Sequence, residues 1–348
     1  MEPTTPPPVT DRRLVFTRRV ILVCLLLAAI GLAGVAHHLL RRAPGDPQAP
    51  PATVIIERGW GLSKIARVLE QARVIADARG FELLARYKGA TSALKAGEYA
   101  IPYGQRLSAV LVQLREGRTV LHQFTVIPGW TARQVAQQLQ KAGIDSGADA
   151  FKLIIDPSFA KSLSVPVGKL EGFLLPETYT YERGDAAAKL LTQMVRQFQR
   201  VWTERLAARV TASGMTELQI VTLASIVEKE AGDAAERPKV ARVFLNRLKA
   251  GMPLQADPTV IYALGDGFDG NLTRANLQTD HPYNTYTRKG LPPGPICSPS
   301  VESMEAVLTP ADGSWLYFVA DGAGHHVFSE NLTQHSIAVE RYQIKNEK

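Results

Sequence analysis

Ala224-Ser225-Ile226-Val227-Glu228-Lys229-Glu230-Ala231-Gly232 (ASIVEKEAG) is the stretch on which the reading of this chain turns. It closes a run of good helix formers that begins near Glu217 and ends in two carboxylates beside a glycine. On a helical wheel at about 100° per residue, Ile220, Leu223, Ala224 and Val227 form one apolar stripe. Lys229 points to the opposite side, and Glu228 and Glu230 flank the stripe. The flank with Glu230 also carries Leu223 and Ile226, so it is the more apolar one. A carboxyl held there is desolvated, which raises its pKa towards what a general acid needs. A solvated helix end with two surface charges fits the same residues, and this stretch alone does not separate the readings.

The flanking chain reads as helical. Asp185–Ser213 places Leu190, Leu191, Met194, Val195 and Phe198 at helical spacing and stops at Gly214. Thr216–Ala231 is the Glu-bearing helix, with Gly232 as its stop. A further helix from Ala234 to about Gly251 carries Val240, Val243, Phe244 and Leu248 inward. Leu254–Pro299 then changes character, being rich in Asn, Thr, Tyr, Pro and Gly. Only Asp257–Tyr262 there reads as a helical turn or two. Long loops in compact domains are usually functional. Flat rings and planar amides suit sugar rings and hydroxyls, though the loops could equally hold only themselves together. Ser300–Leu308 reads as a helix, Trp315–Asp321 and His326–Ser329 as paired strands across Gly322–Gly324, and Leu332 to about Lys345 as a closing helix.

At the other end, Met1–Thr10 is Pro- and Thr-rich and reads as disordered. After Arg12, Arg13, Arg18 and Arg19, Val20–Leu40 runs 21 residues without a charged side chain. At about 1.5 Å per residue this spans a bilayer core. The upstream arginines favour a cytoplasmic N-terminus, with Arg41 and Arg42 diluting the asymmetry. A cleaved signal peptide is the alternative, Gly34-Val35-Ala36 being a passable site. In both cases the rest of the chain lies outside the cytoplasm. The 348 residues carry a formal charge of +7 and are 45% hydrophobic, enough for two or three compact units. The charge suits an anionic polymer or membrane. Without a Gly-Lys-Ser/Thr loop, zinc-finger spacing or a Lys/Arg block, nucleic acid is not an expected partner. The two cysteines, Cys24 and Cys297, fall on opposite sides of this boundary and imply no disulfide.

Ala43–Ala52 is a Pro-rich spacer. Thr53–Glu57 (strand), Leu62–Arg73 and Ala78–Tyr87 (helices) and Gly97–Ile101 (strand) follow. This order resembles a LysM domain, a small module that binds glycans containing N-acetylglucosamine; a structural spacer is the alternative. Leu107–Glu116 is a short helix and Val120–Ile127 a strand. Gly59-Trp60, Ile65-Ala66, Leu69 and Ala72 then recur as Gly129-Trp130, Val135-Ala136, Leu139 and Ala142, at an offset of 70 residues. We read a repeated strand-turn-helix unit, with each Trp in a core rather than on a ligand platform.

Neither metal nor serine chemistry is expected. His325, His326 and His335 lack ligand spacing, and there is no Gly-x-Ser-x-Gly elbow. A carboxylic acid remains, and glycoside cleavage is its familiar use. Hydrolysing glycosidases usually employ two carboxyls; here Glu228 lies about 160° round the wheel from Glu230.

Seven motifs in order decide among these readings: Leu170–Tyr179 (LEGFLLPETY), Ala224–Glu230 (ASIVEKE), Val240–Leu248 (VARVFLNRL), Leu254–Tyr262 (LQADPTVIY), Tyr283–Tyr286 (YNTY), Gly290–Gly294 (GLPPG) and Leu316–Asp321 (LYFVAD). Together they closely resemble the endolytic murein transglycosylases, the MltG or YceG-like family, over most of Thr53–Tyr342. The resemblance implies that Glu230, the second Glu of EKE, is catalytic. It implies cleavage of the N-acetylmuramic acid to N-acetylglucosamine β-1,4 bond without water, leaving a 1,6-anhydro end, with no cofactor. Asn246, Gln255, Asp257, Tyr262, Asn284 and Tyr286 are the candidates for gripping the glycan. Peptidoglycan strands, the membrane and peptidoglycan synthases are the implied partners.

The expected architecture is α+β. A cytoplasmic tail (1–19), transmembrane helix (20–40) and spacer (41–52) precede a LysM-like subdomain (53–118) and a mixed α/β catalytic domain (119–348). The expected location is the inner membrane, single-pass, with the catalytic domain periplasmic; the Arg, Ala and Pro content leans towards a Gram-negative bacterium. A non-catalytic wall-binding scaffold and an ordinary hydrolase remain the rival functions.

Overall fold

A computed structural model describes residues 12–40, 43–144 and 149–344 of the chain. The tail at residues 1–10 and the end of the last expected helix at Lys345 lie outside them. The architecture is mixed α+β, and it divides into residues 1–121 and 122–348.

The first unit opens with α1 (Arg12–Leu40). Within it Phe16–Val35 has a mean hydropathy of 2.2, and this helix is long and apolar enough to cross a membrane. Then come β1 (Ala52–Ile56), α2 (Leu62–Gln71), α3 (Ala78–Tyr87), β2 (Gly97–Ile101) and α4 (Leu107–Glu116). The strands pair antiparallel, Ala52 opposite Ile101 and Ile56 opposite Gly97. Alternation puts Val54, Ile56, Tyr99 and Ile101 on one face, over Ile65, Leu69, Phe81 and Leu114. Asp77 starts α3 by accepting from the Arg79 and Gly80 N–H groups.

The second unit contains β3 (Leu121–Thr125), α5 (Ala132–Lys141), α6 (Asp149–Ile154), α7 (Pro157–Ser162), β4 (Thr178–Glu182), α8 (Ala187–Val201), α9 (Ala207–Ser213), α10 (Glu217–Glu230), α11 (Arg237–Lys249), α12 (Asp257–Leu264), α13 (Arg274–Leu277), α14 (Val301–Leu308), β5 (Tyr317–Ala320), β6 (His326–Ser329) and α15 (Leu332–Val339). Its strands form two ribbons, β3 with β4 and β5 with β6. A single apolar core runs from Phe124 to Val307, with Leu190, Met194, Phe198, Ile220, Leu223, Val227 and Phe244 at its centre.

The long helix expected at residues 185–213 is interrupted. α8 passes through a π-turn at Trp202–Leu206 before α9 resumes, and Gly214 caps it in the left-handed region at φ 67°. The stop expected at Gly232 is corrected. α10 ends at Glu230 because Ala231 is already extended, at φ −79° and ψ 100°. Gly232 does not take the left-handed conformation; its Cα faces the Gly324 carbonyl, 3.7 Å from where a Cβ would sit.

The internal repeat is a repeat of geometry. Gly59 and Gly129 sit at φ 83° and 81°. Trp60 N–H donates to Glu57 O, as Trp130 N–H does to Ile127 O. Ile65, Ala66 and Leu69 are buried in α2, as Val135, Ala136 and Leu139 are in α5. Both helices end by the same device: Val74 N–H donates to Leu69 O, and Ile144 N–H to Leu139 O. The left-handed residue before that bond is Gly143 at φ 68° in one copy but Arg73 at φ 59° in the other. A residue with a Cβ is disfavoured there by about 1 kcal/mol, part of which glycine returns through its freer unfolded chain. Arg73→Gly should therefore raise the stability of the first unit by a few tenths to about 1 kcal/mol, read as an upward shift in its thermal or urea midpoint; a downward shift would show that the Arg73 side chain outweighs the strain.

Candidate active site

α10 is fixed before it reaches the site. A capping box joins Thr216 and Gln219 at its start, and every residue from Ile220 to Val227 is buried. The apolar stripe read from the wheel is thus only part of the buried surface, which extends all round the helix. The buried Ser225 is satisfied: its Oγ donates to Thr222 O and accepts from the Ile296 N–H, while Cys297 Sγ lies 3.3 Å from Ser225 O. Cys297 is a buried free thiol, and Cys24 is free as well.

At the end of this helix the two glutamates have opposite surroundings. Glu228 is saturated. Its Oε2 accepts from the Ser300 N–H and from the Ser300 and Ser303 hydroxyls, and its Oε1 from Arg237 Nη2 at 3.2 Å. These bonds lash the N-terminus of α14 onto α10, a favourable place for a carboxylate. Among the described residues no hydrogen bond or ion pair engages Glu230. Its side chain keeps a partial opening to solvent. Desolvation by its surroundings is the main force lifting its carboxyl from 4.5 to about 8, the negative charge of Asp257 adds to it, and Arg247 opposes both.

Arg247, on α11, is buried and held by hydrogen bonds to the backbone. Its Nε donates to Leu316 O at 2.6 Å, its Nη1 to Leu254 O at 2.7 Å, and its guanidinium lies 5.2 Å from the Tyr317 ring centre. Asp257, the first residue of α12, is exposed and accepts a short hydrogen bond from Tyr286 Oη. Burial chiefly, and that bond next, push the Tyr286 hydroxyl above its ordinary range. Gln255 is also exposed, on a left-handed backbone at φ 50°. This strained position is held by the Gln255 N–H to Thr285 O and the Ala256 N–H to Thr285 Oγ1.

The remaining candidates hold the walls. Asn284 is fully buried: its Nδ2 donates to the Leu277 and Thr279 carbonyls, and its Oδ1 accepts from the Tyr286 N–H. Asn246 Nδ2 ties α11 to the Gly313 and Trp315 carbonyls. Tyr262 belongs to a second polar centre that the sequence reading left out. Its hydroxyl donates to Glu171 Oε2, whose other oxygen accepts from the Ala132 N–H, and Lys169 Nζ donates to both Tyr262 and Tyr283. Glu171 is only 4% exposed, and burial pushes its carboxyl up to about 7. Through this hub α12, which carries Asp257, and the loop that carries Tyr286 share one anchor. The β5–β6 hairpin, which carries Tyr317, is tied just beyond Glu230, where Glu236 accepts from the His326 N–H and meets its ring Nδ1 at 2.7 Å. Among the described residues no group of three or more His, Cys, Asp or Glu is arranged to hold a metal ion.

Residues 54–341 match the family model described as YceG-like. The chain belongs to the YceG-like family. It is 35% identical to the endolytic murein transglycosylase of Bacillus subtilis over 313 residues, 84% of this chain and 85% of that protein. It is 31% identical to the one from Streptococcus pneumoniae serotype 2 over 338 residues, 88% of this chain but only 61% of that longer protein. A crystal structure of a YceG-like protein from Listeria monocytogenes is similar at a TM-score of 0.58 and 34% identity, over 82% of this chain and 97% of that one. In this YceG-like chain the residues that sequence reasoning passed over, Arg247, Tyr317 and Glu171, all lie inside quoted motifs. An arginine or glutamate within an apolar motif was the available signal, since unpaired charges are rarely buried there.

Glu230 also leaves a signature in stability. A carboxyl raised in the folded state favours folding below its unfolded pKa of about 4.5, and that contribution is lost as pH rises through about 8. The wild type should therefore lose stability relative to Glu230→Gln between these limits, by on the order of a few kcal/mol. Parallel melts across this range check it, with Glu171 common to both proteins. A constant gap would place Glu230 in water.

Proposed function

We propose that this chain is a membrane-anchored lytic transglycosylase that cuts peptidoglycan strands internally, with Glu230 as its single catalytic acid and base. One observation carries the reading. The side chain that ends α10 is a carboxyl raised to about 8, without a hydrogen-bond partner among the described residues, beside Arg247 and Asp257. Its place in a family whose curated relatives are named endolytic murein transglycosylases supports the substrate class.

In the proposed reaction, protonated Glu230 gives its proton to the glycosidic oxygen leaving with N-acetylglucosamine, and the bond from that oxygen to C1 of N-acetylmuramic acid breaks. The Glu230 carboxylate then takes the proton from the muramyl C6 hydroxyl as its oxygen bonds to C1. A 1,6-anhydro ring closes, no water is consumed and Glu230 returns to its acid form. The sugar supplies the nucleophile, so Glu228 can be wholly committed to α14. Arg247 lowers the cost of the carboxylate between the two transfers. Asp257 and Tyr286, whose charges act on or respond to Glu230, and the exposed Gln255 are the glycan-contacting candidates. Asn246, Tyr262 and Asn284 act by holding those walls. The first unit, in its LysM-like reading (53–118), adds a second grip on the strand ahead of the catalytic domain (119–348). α1 as an uncleaved anchor, with its N-terminus cytoplasmic, keeps the site beside new strands made by peptidoglycan synthases, where internal cuts limit strand length.

Mass spectrometry of sacculi digested by the protein tests this. New anhydro-muropeptides should form with the wild type and fall by about a hundredfold to ten-thousandfold with Glu230→Gln, the scale on which loss of a general acid is felt. Reducing muramic acid ends would make the enzyme a hydrolase. Glycan binding with no new ends in either protein would make it a scaffold.

A further inference from the structure

A groove of about 420 Å³ opens on the second unit, between β4 and α8, and shares no residue with the candidate active site. It is lined by Glu177, Thr178 and Thr180 on the strand side and by Gln193, Arg196 and Arg200 on the helix side. The strand side is an unused sheet edge. Among the described residues β4 has β3 as its only strand neighbour. The Val126 N–H donates to Glu177 O, so the backbone groups of Glu177 face β3. By strand alternation those of Thr178, Thr180 and Glu182 face the other way. Asp185 Oδ2 takes the outward N–H of Glu182 at 2.9 Å. Among the described residues nothing takes those of Thr178 and Thr180, whose side chains are exposed. The helix side is cationic: Arg196 and Arg200, one turn apart, are exposed and have no ion pair among the described residues.

An edge of free N–H and C=O groups beside two unpaired guanidinium groups describes the requirements of an extended, acidic ligand. We propose that this groove docks an extended acidic segment of a partner protein, which pairs with β4 as a third strand and sets its carboxylates against Arg196 and Arg200. Backbone bonds to Thr178 and Thr180 give the register, and the arginines select the charge. Glu177 closes one end and excludes a carboxylate there. The geometry favours an all-L chain over a peptidoglycan stem peptide, because interleaved D and L residues put successive side chains on one face, whereas an all-L strand alternates them and sets every second side chain against the arginines. The proposal does not depend on the activity assigned to Glu230.

The test uses the full chain in detergent micelles and a fluorescein-labelled all-L peptide, Gly-Thr-Glu-Val-Glu-Val-Glu-Thr-Gly, read by polarisation. Saturable binding is expected. It should weaken at least about tenfold in Arg196→Glu/Arg200→Glu and similarly in Thr180→Pro, which removes one edge N–H and keeps the charges. Wild-type Thr178 and Thr180 amides should exchange more slowly with peptide bound, which needs no variant to fold. Absence of saturable binding, equal affinity for the peptide with Lys in place of Glu, or unchanged amide exchange would overturn the proposal. Displacement of the peptide by a disaccharide-tetrapeptide muropeptide would also overturn it and give the groove to the substrate.

Discussion

The structure depends on keeping one carboxyl largely out of water without giving it a hydrogen-bond partner. Ionised groups are costly to desolvate, and the usual remedy is a hydrogen bond or counter-ion. Glu228 has that remedy several times over, and Glu230, two residues on, has neither a hydrogen bond nor an ion pair among the described residues. The consequence is a change of protonation state. At pH 7 a carboxyl at about 8 is mostly protonated, where one at 4.5 is almost wholly ionised. Proximity to Asp257 pushes further in the same direction, and Arg247 keeps the charged form within reach. An acid that must also serve as a base needs both influences.

Holding such a group requires walls that do not relax around it. The packing of α10 on all sides supplies one wall and the Glu228–Ser300–Ser303 cluster another. The loops bearing Gln255 and Tyr286 are clamped through Thr285, and α12 and the Tyr283 loop share Lys169. The left-handed backbone of Gln255 fits this picture, since strain persists only where neighbours over-determine it. Each clamp joins residues far apart in sequence.

That distance explains what was legible in the sequence. Periodicity located the helices around Leu84, Leu114 and Met194 and the pairing of β5 with β6, because each depends on local spacing. The 70-residue recurrence was visible because Gly59 and Gly129 serve the same turn. Ile220 and Val227 marked the buried face of α10, but the burial of Thr222 and Ser225 depends on the segment at Ile296 and Cys297, which no wheel contains. Asn284 reads as a sugar ligand by residue type, and only the loop's own carbonyls show where its amide goes. Glu171 and Arg247 stayed hidden because their partners are backbone groups and residues up to 91 positions away.

The most direct measurement is the titration of Glu230 itself, by NMR of the full chain carrying 13C-labelled glutamate, with the resonance assigned by its loss in Glu230→Gln. A carboxyl titrating near pH 8, and moving lower in Asp257→Asn, is the predicted result. A titration near the ordinary value of 4.5 would contradict the account.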